Sequence, residues 1–272
     1  MAQLIRLAKS ASDWSPNDLE AYNIVVKEQK AEDFFGGPLP DYTGSVSFVQ
    51  VESLSIPAHD VDAASKALLR RLDLAMTLYE GEESAVDDFA AELLRALGYE
   101  TDDTVVRTRK TLRLFLCGEK VYATTDVCVL DTGTGVLLVV QEDKSHLNPT
   151  ADPEPQLIAE AIAAFQENNV KRERAALEPL SEALIPGITM MGTFPRFYKI
   201  KVTDELNYAI RHGQYPETMT RVYRHTPRVP RRSLDGMKPL DNRKHVVRCY
   251  EAFKQVVFRE YVSVAGAKRR GC

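Results

Sequence analysis

The chain has 272 residues, 44% of them hydrophobic and 27% charged, enough for one large core or two modest ones. That balance excludes a disordered, collagen-like or mucin-like chain, and no run of about 18 apolar residues offers a transmembrane helix. The net charge of −4 conceals an asymmetry: residues 221–272 carry 14 Lys and Arg against 4 Asp and Glu, and the first 220 residues carry 21 against 35. A basic end on an acidic body suits an anionic partner such as nucleic acid, and equally suits docking of one end of the chain on the other. The N-terminus lacks an apolar stretch of signal-peptide length. Cys117, Cys128, Cys249 and Cys272 match no zinc or disulfide spacing. The expected setting is intracellular, nucleus or cytoplasm, with no membrane partner.

Residues 1–60 read as an irregular lead-in punctuated by Gly36-Gly37-Pro38, Pro40 and Gly44, with one strand at 46–51 from the alternation in VSFVQV. A helix is predicted over 60–79. After a break at Glu80-Gly81 a second runs over 82–97, with Val86, Phe89, Ala90, Leu93, Leu94 and Leu97 at helical period and Gly98 placed to end it. Three strands follow, at 104–116, 120–130 and 136–141. The last, VLLVVQ, is continuous enough for a buried central strand, and Asp131 to Gly135 supply a hairpin turn before it. Those glycines are no phosphate loop, since neither a helix nor a GK[ST] follows. Prolines at 149, 153 and 155 precede a helix over 155–169. A strand at 187–202, interrupted at Pro195, a short helix at 204–212, a Pro/Arg-rich loop at 224–234 and an amphipathic helix at 243–261 complete the chain. Its stripe of Val246, Val247, Tyr250, Phe253, Val257 and Tyr261 is core or a dimer face. The expected class is α/β with a mixed central sheet and flanking helices. The organisation divides into an N-terminal extension at 1–80, a core at 81–203 and a basic C-terminal extension at 204–272 packed on the core.

Polar residues inside the apolar strands carry the chemistry. Asp126 interrupts the second strand, and Glu142, Asp143 and Lys144 end the third. Alternation sets Glu142 and Lys144 on one face and Asp143 on the other, and the hairpin makes Asp126 and Glu142 neighbours across strands. Two carboxylates and an ammonium at the end of a buried sheet are costly unless paired or metal-bound. Metal-assisted phosphodiester hydrolysis uses such a set: carboxylates hold Mg²⁺ or Mn²⁺, and a lysine orients water or stabilises charge.

Asp126 followed by Glu142-x-Lys144, in the order helix, three strands, helix, strand, resembles the PD-(D/E)XK nuclease superfamily over about residues 82–202. The resemblance implies an αβββαβ, restriction-endonuclease-like core. Asp126 and Glu142 would be the Mg²⁺ (or Mn²⁺) ligands and Lys144 the residue that positions the nucleophile. Thr125 stands before Asp126 where the motif has proline. Many members carry a glutamate on the first core helix. Glu83 shares the apolar face with residues 86, 90, 93 and 97 and is the candidate third acid and metal ligand; Asp87 is the second choice, and Glu92 falls on the solvent side. Glu83 equally fits an acid favoured at a helix N-terminus. Some branches place a glutamine followed by a tyrosine on the second helix near the metal. Gln156 takes the glutamine's place, and Glu160 stands where the tyrosine would be. Glu160 could orient Lys144 or add a ligand, or the two could form an exposed pair on the helix surface. Gln141 and Asp143 face away from Glu142 and read as structural.

His146, two residues past Lys144, could touch substrate or sit in an exposed loop. No zinc-protease spacing and no nucleophile elbow is present. Arg221, Arg224, Arg228, Arg231, Arg232, Arg243, Lys244 and Arg248, interleaved with Tyr223, His225 and Tyr250, suit phosphate contact and stacking. Arg224, Arg228, Arg231 and Arg232 are the candidate backbone contacts, with the segment 228–232 foremost. The expected partner is nucleic acid, DNA ahead of RNA, with a homodimer in reach for duplex cutting. Two rivals remain: a non-catalytic module of the same fold that binds nucleic acid or protein, and an assembly interface built on the charge asymmetry.

Overall fold

A computed structural model describes residues 6–41, 47–50, 61–77, 84–133, 135–142 and 152–266, with backbone only at 47, 142 and 259–266. Helix α1 (Pro16–Ala21), strand β1 (Ile24–Glu28) and helix α2 (Ala31–Phe35) lead into α3 (Ala63–Ala75) and α4 (Ser84–Ala96). The central run is β2 (Thr104–Leu116), β3 (Glu119–Asp131), β4 (Gly135–Glu142), α5 (Pro153–Arg174), β5 (Glu182–Met191) and β6 (Phe194–Thr203). Helix α6 (Asp204–His212), β7 (Thr220–His225) and α7 (Leu240–Gly266) follow.

All seven strands join one mixed sheet, ordered β1-β7-β6-β5-β4-β3-β2. β1 runs parallel to β7 and β4 parallel to β5; the other neighbours are antiparallel. Apolar clusters lie on both faces of the sheet. On one, α3, α4 and α7 contribute Leu68, Leu72, Phe89, Leu93, Tyr250 and Phe253 against Val127, Val129, Leu138 and Val140. On the other, α5 contributes Leu157, Ile158, Ile162 and Phe165 against Cys128, Val139 and Ile200. The class expected from the sequence, α/β with a mixed sheet between helices, is the class observed.

Local chemistry sets the helix ends. Asp62 accepts from Ser65 N at 2.8 Å to start α3, Asp152 from Glu154 N at 3.0 Å to start α5, and Thr203 from Leu206 N at 3.2 Å to start α6. Pro153 follows Asp152 at the first helical position, where a missing N–H costs nothing, and α5 ends with Lys171, Arg172 and Arg174 in its last turn. Gly98 ends α4's connection at φ 75°, as its position predicts.

Three expectations need correction. Ser47–Val49 is a 3-10 turn, not strand; Phe48 is a core residue there, and Phe48's carbonyl accepts from Arg243. The single strand at 187–202 is two, β5 and β6, folded back at Gly192-Thr193 with Met190 opposite Pro195. The loop at 224–234 begins inside β7, which pairs with a lead-in strand, β1, that local alternation did not reveal. The α7 stripe is core: Val246, Val247, Tyr250, Phe253 and Val257 are buried against the sheet.

Candidate functional site

The strand register locates Asp126. Val127 pairs with Val140 and Cys128 with Val139, so the next residues along, Asp126 on β3 and Gln141 on β4, lie opposite each other, which corrects the expectation that Glu142 is the cross-strand neighbour of Asp126 and that Gln141 stands apart from it. Both share the face of Cys128 and Val139, which α5 covers. On the other side β2 pairs through Thr108↔Val127 and Lys110↔Thr125, and between them Arg109 adopts a left-handed φ of 51°. A non-glycine residue in that region costs of order 1–3 kcal/mol, so the ladder is strained beside Asp126.

The first turns of α5 roof this end of the sheet. Gln156 Nε2 donates to Gln141 Oε1 at 2.9 Å and to Glu160 Oε1 at 3.1 Å. Glu160 is 0% exposed, which corrects the expectation of an exposed helix pair. Its second oxygen, Oε2, is buried with no hydrogen-bond partner among the described residues. Burial, and then the charge of Asp126, push the Glu160 carboxyl well above the usual carboxylate range, against the pull of its Gln156 hydrogen bond. A signal for this residue was present in the sequence. Leu157 to Phe165 is apolar but for Glu160, and a helix apolar all round is a buried one.

The polar row continues across the sheet. Gln141 pairs with Thr189, and Thr189 with Arg196. The Tyr198 hydroxyl lies 3.3 Å from that of Thr189 and donates to Glu154 Oε1 at 3.0 Å. Glu154 also binds Arg224, whose Nε donates to Glu28 Oε2 at 2.7 Å. Burial works against the Arg224 charge, yet Glu28 and Glu154 together raise its pKa above the ordinary arginine value. Arg224 therefore ties β1, β7 and α5 together, and its guanidinium is already engaged by two carboxylates.

Strand directions place the basic loop. β4, β5, β7 and β1 end at the same edge of the sheet, so the segment after His225 leaves at the edge where β4 ends, with β6 and β5 between them. It carries Arg228, Arg231 and Arg232, all exposed; Arg231 lies 3.7 Å from Asp241 and Arg232 3.5 Å from Asp235. The loop returns over the β5–β6 turn, where Met237 N donates to Thr193 Oγ1 at 2.8 Å. Arg243, grouped with the basic surface by sequence, is instead 1% exposed and donates to the carbonyls of Met237, Phe48 and Lys238. Burial pulls its pKa down to about 10, which leaves it charged near neutrality. Arg248 is likewise spent on the carbonyls of Leu39 and Pro40.

A cavity of about 370 Å³ opens at this edge on the α7 face, lined by His225, His245, Arg228 and Thr226 among others. His225 is 4% exposed, with Nδ1 3.0 Å from the Gln29 carbonyl and Nε2 without a partner among the described residues. A larger cavity, about 590 Å³, runs along β6 and β7 from Glu205 and Thr220 to Gln29 and Asp33; Arg221 and Tyr223 of the basic set line it, and Arg224, Arg228, Arg231 and Arg232 do not.

The structure thus brings together Asp126, Gln141, Gln156 and Glu160 and sets the end of β4 beside them. Glu83, Asp143, Lys144 and His146 lie outside the described residues, as does the side chain of Glu142, whose backbone pairs with Met190. Glu92 is on the outer side of α4, 3.7 Å from Arg95, as expected. Among the described residues no three His, Cys, Asp or Glu side chains are grouped to hold a metal ion. No helix among them is long and apolar enough to cross a membrane. No protein-family model matches the chain, and no curated protein matches it in sequence.

Proposed function

We propose that the chain is a metal-dependent nuclease that hydrolyses phosphodiester bonds of DNA or RNA, on a restriction-endonuclease-like core at 81–203. The observation that carries this reading is the meeting of Asp126, the end of β4 and the polar roof of α5 at one edge of the sheet, the edge from which a loop of exposed arginines also leaves. The order α4, antiparallel β2-β3-β4, α5 and then β5 parallel to β4 supports it, because it matches the αβββαβ pattern that the motif implies.

The donors fit a hard divalent cation such as Mg²⁺ or Mn²⁺: carboxylates, with amide oxygens close by. When bound, the ion supplies charge on the phosphate and a more acidic water. The chain's own residues do the rest. Asp126 on β3 and Glu142, the last residue of β4, would hold the ion, and Glu83, next before α4 in the sequence, would add a carboxylate. Lys144 orients the attacking water. Gln156, fixed by two acceptors, keeps the roof of the site in place. Arg228, Arg231 and Arg232 take backbone phosphates, with His146 as a further substrate contact. Arg224 serves this arrangement as a brace.

The test is cleavage of a DNA and RNA panel with Mg²⁺, Mn²⁺ or EDTA, comparing wild type with Lys144→Ala. Metal-dependent cleavage that falls at least 100-fold in the variant is expected, the scale of one lost charge-stabilising group. Undiminished cleavage in the variant rejects the assignment of Lys144. Absence of cleavage by folded wild type on every substrate favours a binding module without catalysis.

A further inference from the structure

Glu160 presents a problem that the three-residue motif does not solve. It sits two turns into α5, 0% exposed, in a helix otherwise apolar along that stretch. One oxygen accepts from Gln156, and the other has no hydrogen-bond partner among the described residues. Leaving a buried polar atom unpaired costs about 1–3 kcal/mol, and a buried charge is kept where it is paired or coordinates a metal. Among the described residues, the charged neighbour that Glu160 feels is Asp126, of the same sign. Packing two carboxylates together under a helix is unfavourable in the absence of a cation, and a hard cation between them removes both the repulsion and the missing contact.

We propose that Glu160 is a further ligand of the divalent cation, donating its Oε2 from α5 to an ion shared with Asp126. The inference rests on the metal-dependent reading of this site and adds to it a carboxylate that the Asp126, Glu142, Lys144 pattern does not contain. Gln156 becomes a positioning residue. Its amide nitrogen spans Gln141 Oε1 and Glu160 Oε1, which fixes Glu160 relative to the end of β4 and leaves Oε2 for the ion.

Manganese alone, without nucleic acid, tests this. Wild type, Glu160→Gln and Asp126→Asn are titrated with MnCl₂ by calorimetry, and their melting temperatures are read with and without the ion. Glu160→Gln keeps an acceptor for Gln156 and removes a buried charge, so the ion-free variant melts no lower than wild type. Its Mn²⁺ affinity falls at least tenfold and the Mn²⁺-induced rise in Tm disappears, as it does in Asp126→Asn. Wild-type Mn²⁺ affinity in Glu160→Gln overturns the proposal, and so does absence of Mn²⁺ binding by wild type. The two readings fail separately. A protein that binds Mn²⁺ through Glu160 yet cuts nothing keeps this ligand and loses the nuclease reading. A metal-dependent nuclease whose Mn²⁺ affinity ignores Glu160→Gln does the reverse.

Discussion

Single residues at this edge of the sheet carry measurable consequences. His225 is packed between Phe34 and Phe35, with ring centroids 5.7 and 5.2 Å away, and burial holds its pKa below the ordinary histidine value. His245 is lowered too, by burial first and then by Arg248 and His225. The unfolded chain therefore takes up protons at about pH 6.5 before the folded chain does. The stability that comes from keeping these rings neutral is complete above that pH and is lost as pH falls through the depressed folded values. The expected result is a Tm that drops between pH 7 and pH 5, with a shallower drop in His225→Phe, which keeps the ring contacts. Equal pH slopes in the two proteins would exclude His225 as the source. Glu160 teaches the complementary lesson. Its residue type and its spacing from Gln156 fitted a helix surface, the apolar run around it pointed to burial, and its place under the sheet edge decides between the two.

Elements were legible where their signal was local. The meander of β2, β3 and β4, the stripe of α4 and the limits of α6 follow from period, turn chemistry and caps. The turn between β3 and β4 shows how tight such a match is. Asp131 Oδ1 accepts from Gly133 N at 2.9 Å. Gly135 then takes φ 120°, and Asn168 of α5 grips Val136 through N–H and carbonyl bonds of 2.8 and 2.9 Å. A Cβ on Gly135 would overlap the Asn168 amide. Gly135→Ala should therefore cost about 1–3 kcal/mol in urea denaturation, from backbone strain and the displaced clamp. A loss under about 0.5 kcal/mol, the size of an ordinary surface change, would show that the clamp is not tight. The strand pair β5–β6 was read as one because Pro195 looked like an interruption, whereas it follows a reversal at Gly192-Thr193. β7 was hidden because TRVYRH is short and largely polar, and its place is fixed by pairing with β6 and β1 rather than by its own pattern.

At the scale of the whole molecule, the described residues of the basic C-terminal part do not form one charged face. Arg224, Arg243 and Arg248 are consumed inside the fold, while Arg228, Arg231 and Arg232 remain exposed on the loop that leaves the same sheet edge as the candidate site. If that loop holds phosphates, the slope of log K against log salt for duplex binding should shrink by about 0.9 for each of the three changed to alanine. A slope unchanged in the triple variant would remove the loop from the nucleic-acid surface. The central strands and helices, the αβ class and the acids of the motif could be read from the chain alone, because hydrophobic period and turn residues act over a few positions. Tertiary structure decided the rest. Glu28 and Arg224 stand 196 residues apart in sequence and meet because β1 and β7 pair. Asp126 faces Gln141, with Glu160 above, because a register and a helix crossing put them there. Pairing partners and buried faces depend on the rest of the chain, and no local pattern encodes them.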